Sequence, residues 1–267
     1  MSFLYIFDHS VYNIFSMENK YLDLIRGNIP SHIIAIVEKI ENKGFSVYVV
    51  GGAIRDLLLE RVPFEFDLAT SARPDDIIDI FEHVNTVGKA FGTIQVYFEG
   101  TAVDVTTFRK DGDYSDFRHP NQVQFTNQID ADLARRDFTI NAMAYHPIRD
   151  ELVDQFNGFQ HLKERRLEVI GSPMERFQED TLRPFRCFRF MSQMGFIISS
   201  DILAALQSLA STVVLPSIPR IRREMNRLLL GHYWLSALKL MHESNWLQRL
   251  ISDYPKYETI ELHHDLL

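Results

Sequence analysis

The sequence predicts an α+β protein: a sheet-based unit over about the first 150 residues, then a second part built almost wholly of helices. Three observations carry this. Runs of β-branched and aromatic residues alternate with helical patterns up to about residue 150. The pair Gly51-Gly52 joins one such run to a short helix. From Leu162 onward the pattern is helical, with few strand signals. The expected divisions are an N-terminal extension (1–28), a sheet-bearing unit (29–150), a helical segment (151–215) and a second helical segment (216–267) that ends short, with Pro216 and Pro219 marking the last boundary.

Each element has a local reason. Ser31 is expected to N-cap a helix whose Ile33, Ile36, Val37 and Ile40 form one apolar stripe, with Gly44 as its stop. Phe45 to Val50 reads as a strand, and the glycines then open a helix that continues through Asp56 to Leu59. Phe66 to Thr70 is the next strand, and Pro74-Asp75-Asp76 opens a helix running to Phe81. Thr93 to Phe98 and Ala102 to Phe108 predict a hairpin around Glu99-Gly100. Arg109 to Asn121 reads as a loop.

The bulk numbers narrow the class. The chain has 267 residues, 46% hydrophobic and 24% charged, ample for a core. Its single cysteine, Cys187, excludes an internal disulfide and fits a reducing compartment. No apolar run reaches the length of a membrane span, and the aromatic start lacks a basic region before it. The cytoplasm is therefore expected, with Met17 as an alternative start. The net charge of −8 argues against a globally basic nucleic-acid binder, but basic clusters at 163–166, 176–189 and 220–223 leave room for local RNA contacts. For 163–166 and 220–223, solvated helix faces account for the pattern equally well. The final His263-His264-Asp265 reads as an ordinary chain end.

Three segments carry chemistry. In the first, a glycine turn before a helix lets backbone N–H groups approach an anion. Glu65 and Asp67, two apart on a strand, share one face. Polyphosphate on one side and paired acidic oxygens on the other is a layout for magnesium-assisted nucleotidyl transfer. The Glu-x-Asp spacing alone is common by chance, and its place after Gly-Gly-x-x-Arg-Asp gives it weight. Asp104, between valines in mid-strand, is expected to complete an acidic trio or to sit on an exposed edge. In the second, Arg135-Arg136-Asp137 with Asn141 has the donors and acceptors for triphosphate and ribose, or is simply a helix start with an ion pair. In the third, Asp180 and Arg183 at helical i, i+3 spacing match a base edge, and Arg186 and Arg189 continue the same stair toward phosphates. An amphipathic helix with a salt bridge is a reasonable account of the first pair in isolation, but three arginines at strict threefold spacing are harder to dismiss.

Taken in order, these segments resemble the class II tRNA nucleotidyltransferase and bacterial poly(A) polymerase family, specifically its CCA-adding members. The resemblance runs from about Ile29 to Tyr254 and rests on Gly51 to Asp56, Glu65 to Thr70, Val87 to Thr93, Arg135 to Ala144, Arg176 to Asp180 and Arg183 to Phe190. It implies a nucleotidyltransferase head with a five-stranded mixed sheet, followed by helical neck and body domains. It implies Mg²⁺-dependent addition of CMP and AMP, from CTP and ATP, to the 3′ end of tRNA, without a nucleic-acid template. By similarity Gly51, Gly52 and Arg55 hold the triphosphate; Glu65 and Asp67 hold the metal, with Asp104 beside them. Arg136, Asp137 and Asn141 address ribose and phosphate, Asp180 and Arg183 the base edge, and Arg186 and Arg189 support the nucleotide. Glu65 stands where the family has Asp, which implies retained binding with slower chemistry. Pro184 is expected to delete a bond to the carbonyl of Asp180, and the chain stops before the family's tail. Poly(A) addition to other RNA 3′ ends is the nearest alternative, with Val87 to Thr93 favouring the CCA type. A nucleotide- and RNA-binding paralogue without catalysis is the alternative from another class.

Overall fold

The computed structural model of the protein describes residues 19–110 and 124–253. The chain runs α1 (Asn19–Asn28), α2 (Ser31–Glu41), β1 (Val47–Val50), α3 (Gly52–Leu58), β2 (Asp67–Thr70), α4 (Pro74–Ile80), β3 (Val84–Asn85), β4 (Thr93–Phe98) and β5 (Thr101–Thr107). There follow β6 (Arg109–Lys110), β7 (Gln124–Phe125), α5 (Ile129–Ala134), β8 (Ala144–His146), β9 (Glu151–Val153), α6 (Gly158–Lys163) and β10 (Arg166–Leu167). The helical half comprises α7 (Pro173–Glu179), α8 (Arg183–Met194), the short β11 (Ile197–Ile198), α9 (Ser200–Leu209), α10 (Ile218–Leu229), α11 (Trp234–Glu243) and α12 (Trp246–Asp253).

The main sheet has seven strands in the order β3-β4-β5-β2-β1-β8-β9. Only β2 and β5 run parallel; the other pairings are antiparallel. The mixed sheet is as expected but wider than five strands. The two-residue edge β3 and the outer strand β9 extend it, and both are too short to show a period in sequence. Because β9 begins at Glu151, the sheet continues past the boundary drawn at residue 150. Glu99 and Gly100, both at positive φ, form the expected turn between β4 and β5.

Alternation along the strands places the two cores. Val47, Val49, Leu68 and Val105 face the α2 stripe of Ile33, Ile36, Val37 and Ile40, all essentially inaccessible. Tyr48, Val50 and Ala69 face the other way, onto Phe108, Leu133 and Ala144. Ser31 does not cap α2: it is the first helical residue, the N-cap is Pro30, and no side chain bonds there. A proline carbonyl suffices, accepting from the N–H groups of Ile33 and Ile34.

The helical half is centred on α8, packed between α10 and α11. Phe185 and Phe188 meet Trp246 edge-on at 5.3 and 6.4 Å, and the buried indole N–H donates to the carbonyl of Leu206 at 2.8 Å. Phe138 and Phe190, edge to face at 5.5 Å, join this half to the sheet unit. Gly195, at φ +68°, ends α8 in the left-handed conformation. No helix among the described residues is long and apolar enough to cross a membrane. Residues 1–16 and 263–265, singled out above, lie outside the described residues, as does most of the expected loop after Arg109.

Candidate active site

Sheet register builds the first wall of a cleft of about 1080 Å³. Val50 ends β1 opposite Asp67, so the glycine turn that follows β1 lies beside the first residue of β2. Gly51 has φ +74° and ψ −128°, a region open to glycine. A Cβ there would also approach Nη1 of Arg136 to 2.9 Å, so any other residue would push that guanidinium aside.

Glu65 and Asp67 both line the cleft, although Glu65 lies in the irregular segment before β2 rather than in the strand. Leu68 pairs with Val105 in parallel register, which sets Asp67 alongside Asp104 on the neighbouring strand. Burial, then the charge of Glu65, then that of Asp104, raises the Asp67 carboxyl from 3.8 to about 6. Asp104 is held back by the amide of Gln95 at 3.0 Å and does not line the cleft. Among the described residues no three His, Cys, Asp or Glu side chains converge as a metal cage. The donor set that remains, two carboxylates without a hydrogen-bond partner among the described residues, suits Mg²⁺, which takes one or two carboxylates and completes its shell with phosphates and water.

The second wall is a network of arginines fixed by acids. Asp132, fully buried within α5, pairs with Arg135 at 2.8 Å and Arg136 at 3.1 Å. Arg136 Nη1 also reaches the carbonyl of Asn141 at 3.4 Å, while its Nε is buried without a partner. Arg55 donates to Asn141 Oδ1 at 2.6 Å and pairs with its neighbour Asp56 at 2.8 Å. Asp137 is buried and accepts from Arg186 at 2.5 Å, from the Phe138 N–H at 2.8 Å and from Asn141 at 3.2 Å. Burial alone pushes its carboxyl up, but Arg186 and these hydrogen bonds bring it down to about 2. Asp137 thus anchors Arg186 and Asn141, and the sequence offered no sign of that partnership across 49 residues.

The third wall corrects the sequence reading. Asp180 does not share a helix with Arg183: it closes α7, and α8 begins at Arg183. Its carboxylate accepts from the Leu182 N–H at 3.1 Å and from Arg220 of α10 at 3.2 Å. Arg183 pairs instead with Glu179 at 2.8 Å and donates to the carbonyl of Arg176 at 2.9 Å and, at 3.4 Å, to that of Arg135. Three of its five N–H donors are taken this way, leaving an edge of the guanidinium for a ligand. Pro184 lies in the first turn of α8, so it removes no hydrogen bond. Arg189 turns away from the expected stair: it is buried, pairs with Glu224 of α10 at 2.5 Å, and lies over Phe190 at 3.9 Å.

The cleft therefore gathers Gly51, Gly52, Arg55, Glu65, Asp67, Asp137, Asn141, Asp180, Arg183, Arg186 and Arg189. Arg136 joins them, and Asp104 stands one strand away. Sequence reading missed Asp132, Glu179, Arg220 and Glu224. The i, i+3 and i, i+4 spacing of Asp132 to Arg135 and Arg136 was a usable signal; the long-range pairs gave none.

Comparison with known proteins agrees with this architecture. The family described as "Poly A polymerase head domain" matches residues 47–168, and that described as "Probable RNA and SrmB- binding site of polymerase A" matches residues 195–257. The CCA-adding enzyme of Anoxybacillus flavithermus is 41% identical over 212 residues, covering 79% of this chain and 53% of the relative. That of Staphylococcus epidermidis is 38% identical over 229 residues, covering 86% and 56% respectively. The crystal structure of the Bacillus stearothermophilus CCA-adding enzyme in complex with CTP superposes with a TM-score of 0.73 at 35% identity, over 80% of this chain and 52% of that one. The chain spans about half the length of the curated relatives it matches. With head and RNA-binding regions matched in order and the glycine turn, acid pair and α7–α8 junction meeting in one cleft, the chain belongs to the class II tRNA nucleotidyltransferase and bacterial poly(A) polymerase family.

Proposed function

We propose that this protein adds CMP and AMP, from CTP and ATP, to the 3′ end of tRNA without a nucleic-acid template. One observation carries the reading: the glycine turn, the Glu65–Asp67 pair and the Asp180–Arg183 junction line a single cleft, so triphosphate, reacting phosphorus and base are addressed together. The relatives that match are named as CCA-adding enzymes, and one was solved with CTP.

Each wall has its part. The glycine turn lets the leaving pyrophosphate lie close to the backbone, with Arg55 and Arg136 neutralising its charge. Glu65 and Asp67 would hold Mg²⁺, which when bound supplies Lewis-acid activation of the α-phosphate and of the attacking hydroxyl. Asp137 and Asn141 fix the angle of Arg186 and Arg55 toward the nucleotide. Cytosine and adenine each present an exocyclic amino donor, and uracil and guanine a carbonyl, at the edge facing Asp180. A carboxylate acceptor there, with the free edge of Arg183 as donor, admits the first pair and leaves buried groups unpaired with the second.

The test is incubation with Mg²⁺, labelled CTP or ATP, and a tRNA transcript lacking its 3′ CCA. Addition of two C residues and one A, then arrest, is expected. Long adenosine tails would identify a poly(A) polymerase, and nucleotide binding without incorporation a non-catalytic paralogue.

A further inference from the structure

Val62 and Phe64 are the two most exposed large apolar side chains among the described residues, at 94% and 96%. Both line the cleft, in the segment that leads into Glu65, which bends at Phe64. Phe64 makes no ring contact with a described residue, although burial of such a side chain is favourable. Phe91, 46% exposed, lines the same cleft, as do Arg61 and Arg109. Scattered surface hydrophobes need no explanation; an unpartnered aromatic one residue from a reacting carboxylate, in a cleft lined by ten arginines against five acids, does.

We propose that Phe64, with Val62 beside it, is a stacking platform for the terminal base of the RNA 3′ end. The inference rests on the nucleotidyl-transfer reading above and identifies where that reaction's acceptor is held. In-line displacement places the attacking hydroxyl opposite the leaving pyrophosphate. With pyrophosphate at the glycine turn and the incoming base at Asp180, Glu65 and Phe64, which line the same cleft, are left to face the acceptor end. Chemistry favours an aromatic here. The terminal base changes with each nucleotide added, so its support must be tolerant of sequence, and a ring face stacks on any base while hydrogen-bonding groups would select one. Arg61 and Arg109 supply positive charge for the adjoining phosphates.

The experiment compares wild type with Phe64→Ala and Phe64→Tyr. Phe64→Ala is expected to raise KM for the truncated tRNA transcript roughly tenfold, the effect of losing one base stack, with KM for CTP within twofold and Phe64→Tyr near wild type. An unchanged KM for the transcript, or an equal rise in KM for CTP, overturns the proposal. A second readout is independent of catalysis: an RNA carrying 2-aminopurine as its last base should be quenched on binding by wild type but not by Phe64→Ala, while fluorescence anisotropy shows both bound. Equal quenching by the two overturns the platform. Failure of nucleotide incorporation with this quenching difference intact would count against the enzymatic reading alone.

Discussion

The two sides of the cleft treat charge in opposite ways. On the helical side almost every ion has its counter-ion in place: Arg183 with Glu179, Arg186 with Asp137, Arg189 with Glu224 and Arg220 with Asp180. On the sheet side Glu65, Asp67 and Asp104 repel one another, and Asp67 is pushed up to about 6 by burial and by its two acidic neighbours. The ion pairs of the paired side fix its donors in place before any ligand binds, the arrangement that preorganised electrostatics requires. The unpaired side is held in deficit and, on the proposed function, would gain its stabilisation from a bound cation.

The largest expected effect comes from removing that deficit. On the proposed function, Asp67→Asn should lower nucleotide addition a thousandfold or more, since it would delete an oxygen that holds the metal. The same change should stabilise the protein in the absence of divalent ions. The folded pKa lies above the ordinary 3.8, so the neutral carboxyl favours folding and the ionised one opposes it. The advantage of the variant is therefore absent below about 3.8, grows up to about 6 and stays constant above, at about 2 kcal/mol after allowance for partial solvent screening. Thermal denaturation in chelator across that range measures it. Added Mg²⁺ should stabilise wild type and not Asp67→Asn.

The paired side should answer in the opposite sense. Arg186→Leu leaves Asp137 buried and uncompensated, and a loss of about 3 kcal/mol is expected from denaturant unfolding. Asp137 is held down at about 2, so its contribution is present above 3.8 and is lost as pH falls through 2. Acid unfolding of wild type should therefore show a transition in that window which Asp137→Asn lacks. If Arg186→Leu and Asp137→Asn prove additive when combined, the pair is not the coupled anchor described here.

This contrast also marks what the sequence could disclose. The apolar stripe of α2, the hairpin at Glu99-Gly100 and the strand–glycine–helix passage at Val50 to Gly52 were legible because their causes are local: periodicity, turn chemistry and φ. Glu65 and Asp67 were legible for the same reason, being two residues apart. The helical wall was not. Asp180 and Arg183 suggested a pair by spacing, but α7 ends at Glu179 and α8 starts at Arg183 with Pro184 in its first turn, so the junction of two helices falls between them. Asp180 then finds Arg220, 40 residues away, and Arg189 finds Glu224 at a separation of 35. Such partners are set by how α8 packs on α10, which no window of sequence contains.

The smallest expected effect tests whether the unpaired wall is tuned by reach or by charge alone. Glu65 is exposed and lies outside β2, so its backbone is free to adjust in a way that of Asp67, locked opposite Val50, is not. Glu65→Asp keeps the charge and shortens the arm by one methylene. Mg²⁺ demands near-octahedral placement, so a shorter ligand should change the rate. Adjustment of the loose segment should limit that change to roughly threefold in kcat, with a lower Mg²⁺ requirement. Stability should stay within about 0.5 kcal/mol, as for an exposed site. Rate measured against Mg²⁺ concentration decides between the two: a tenfold or greater response would mean that Glu65 is held as rigidly as Asp67, and equal midpoints for variant and wild type would mean that charge alone matters at this position.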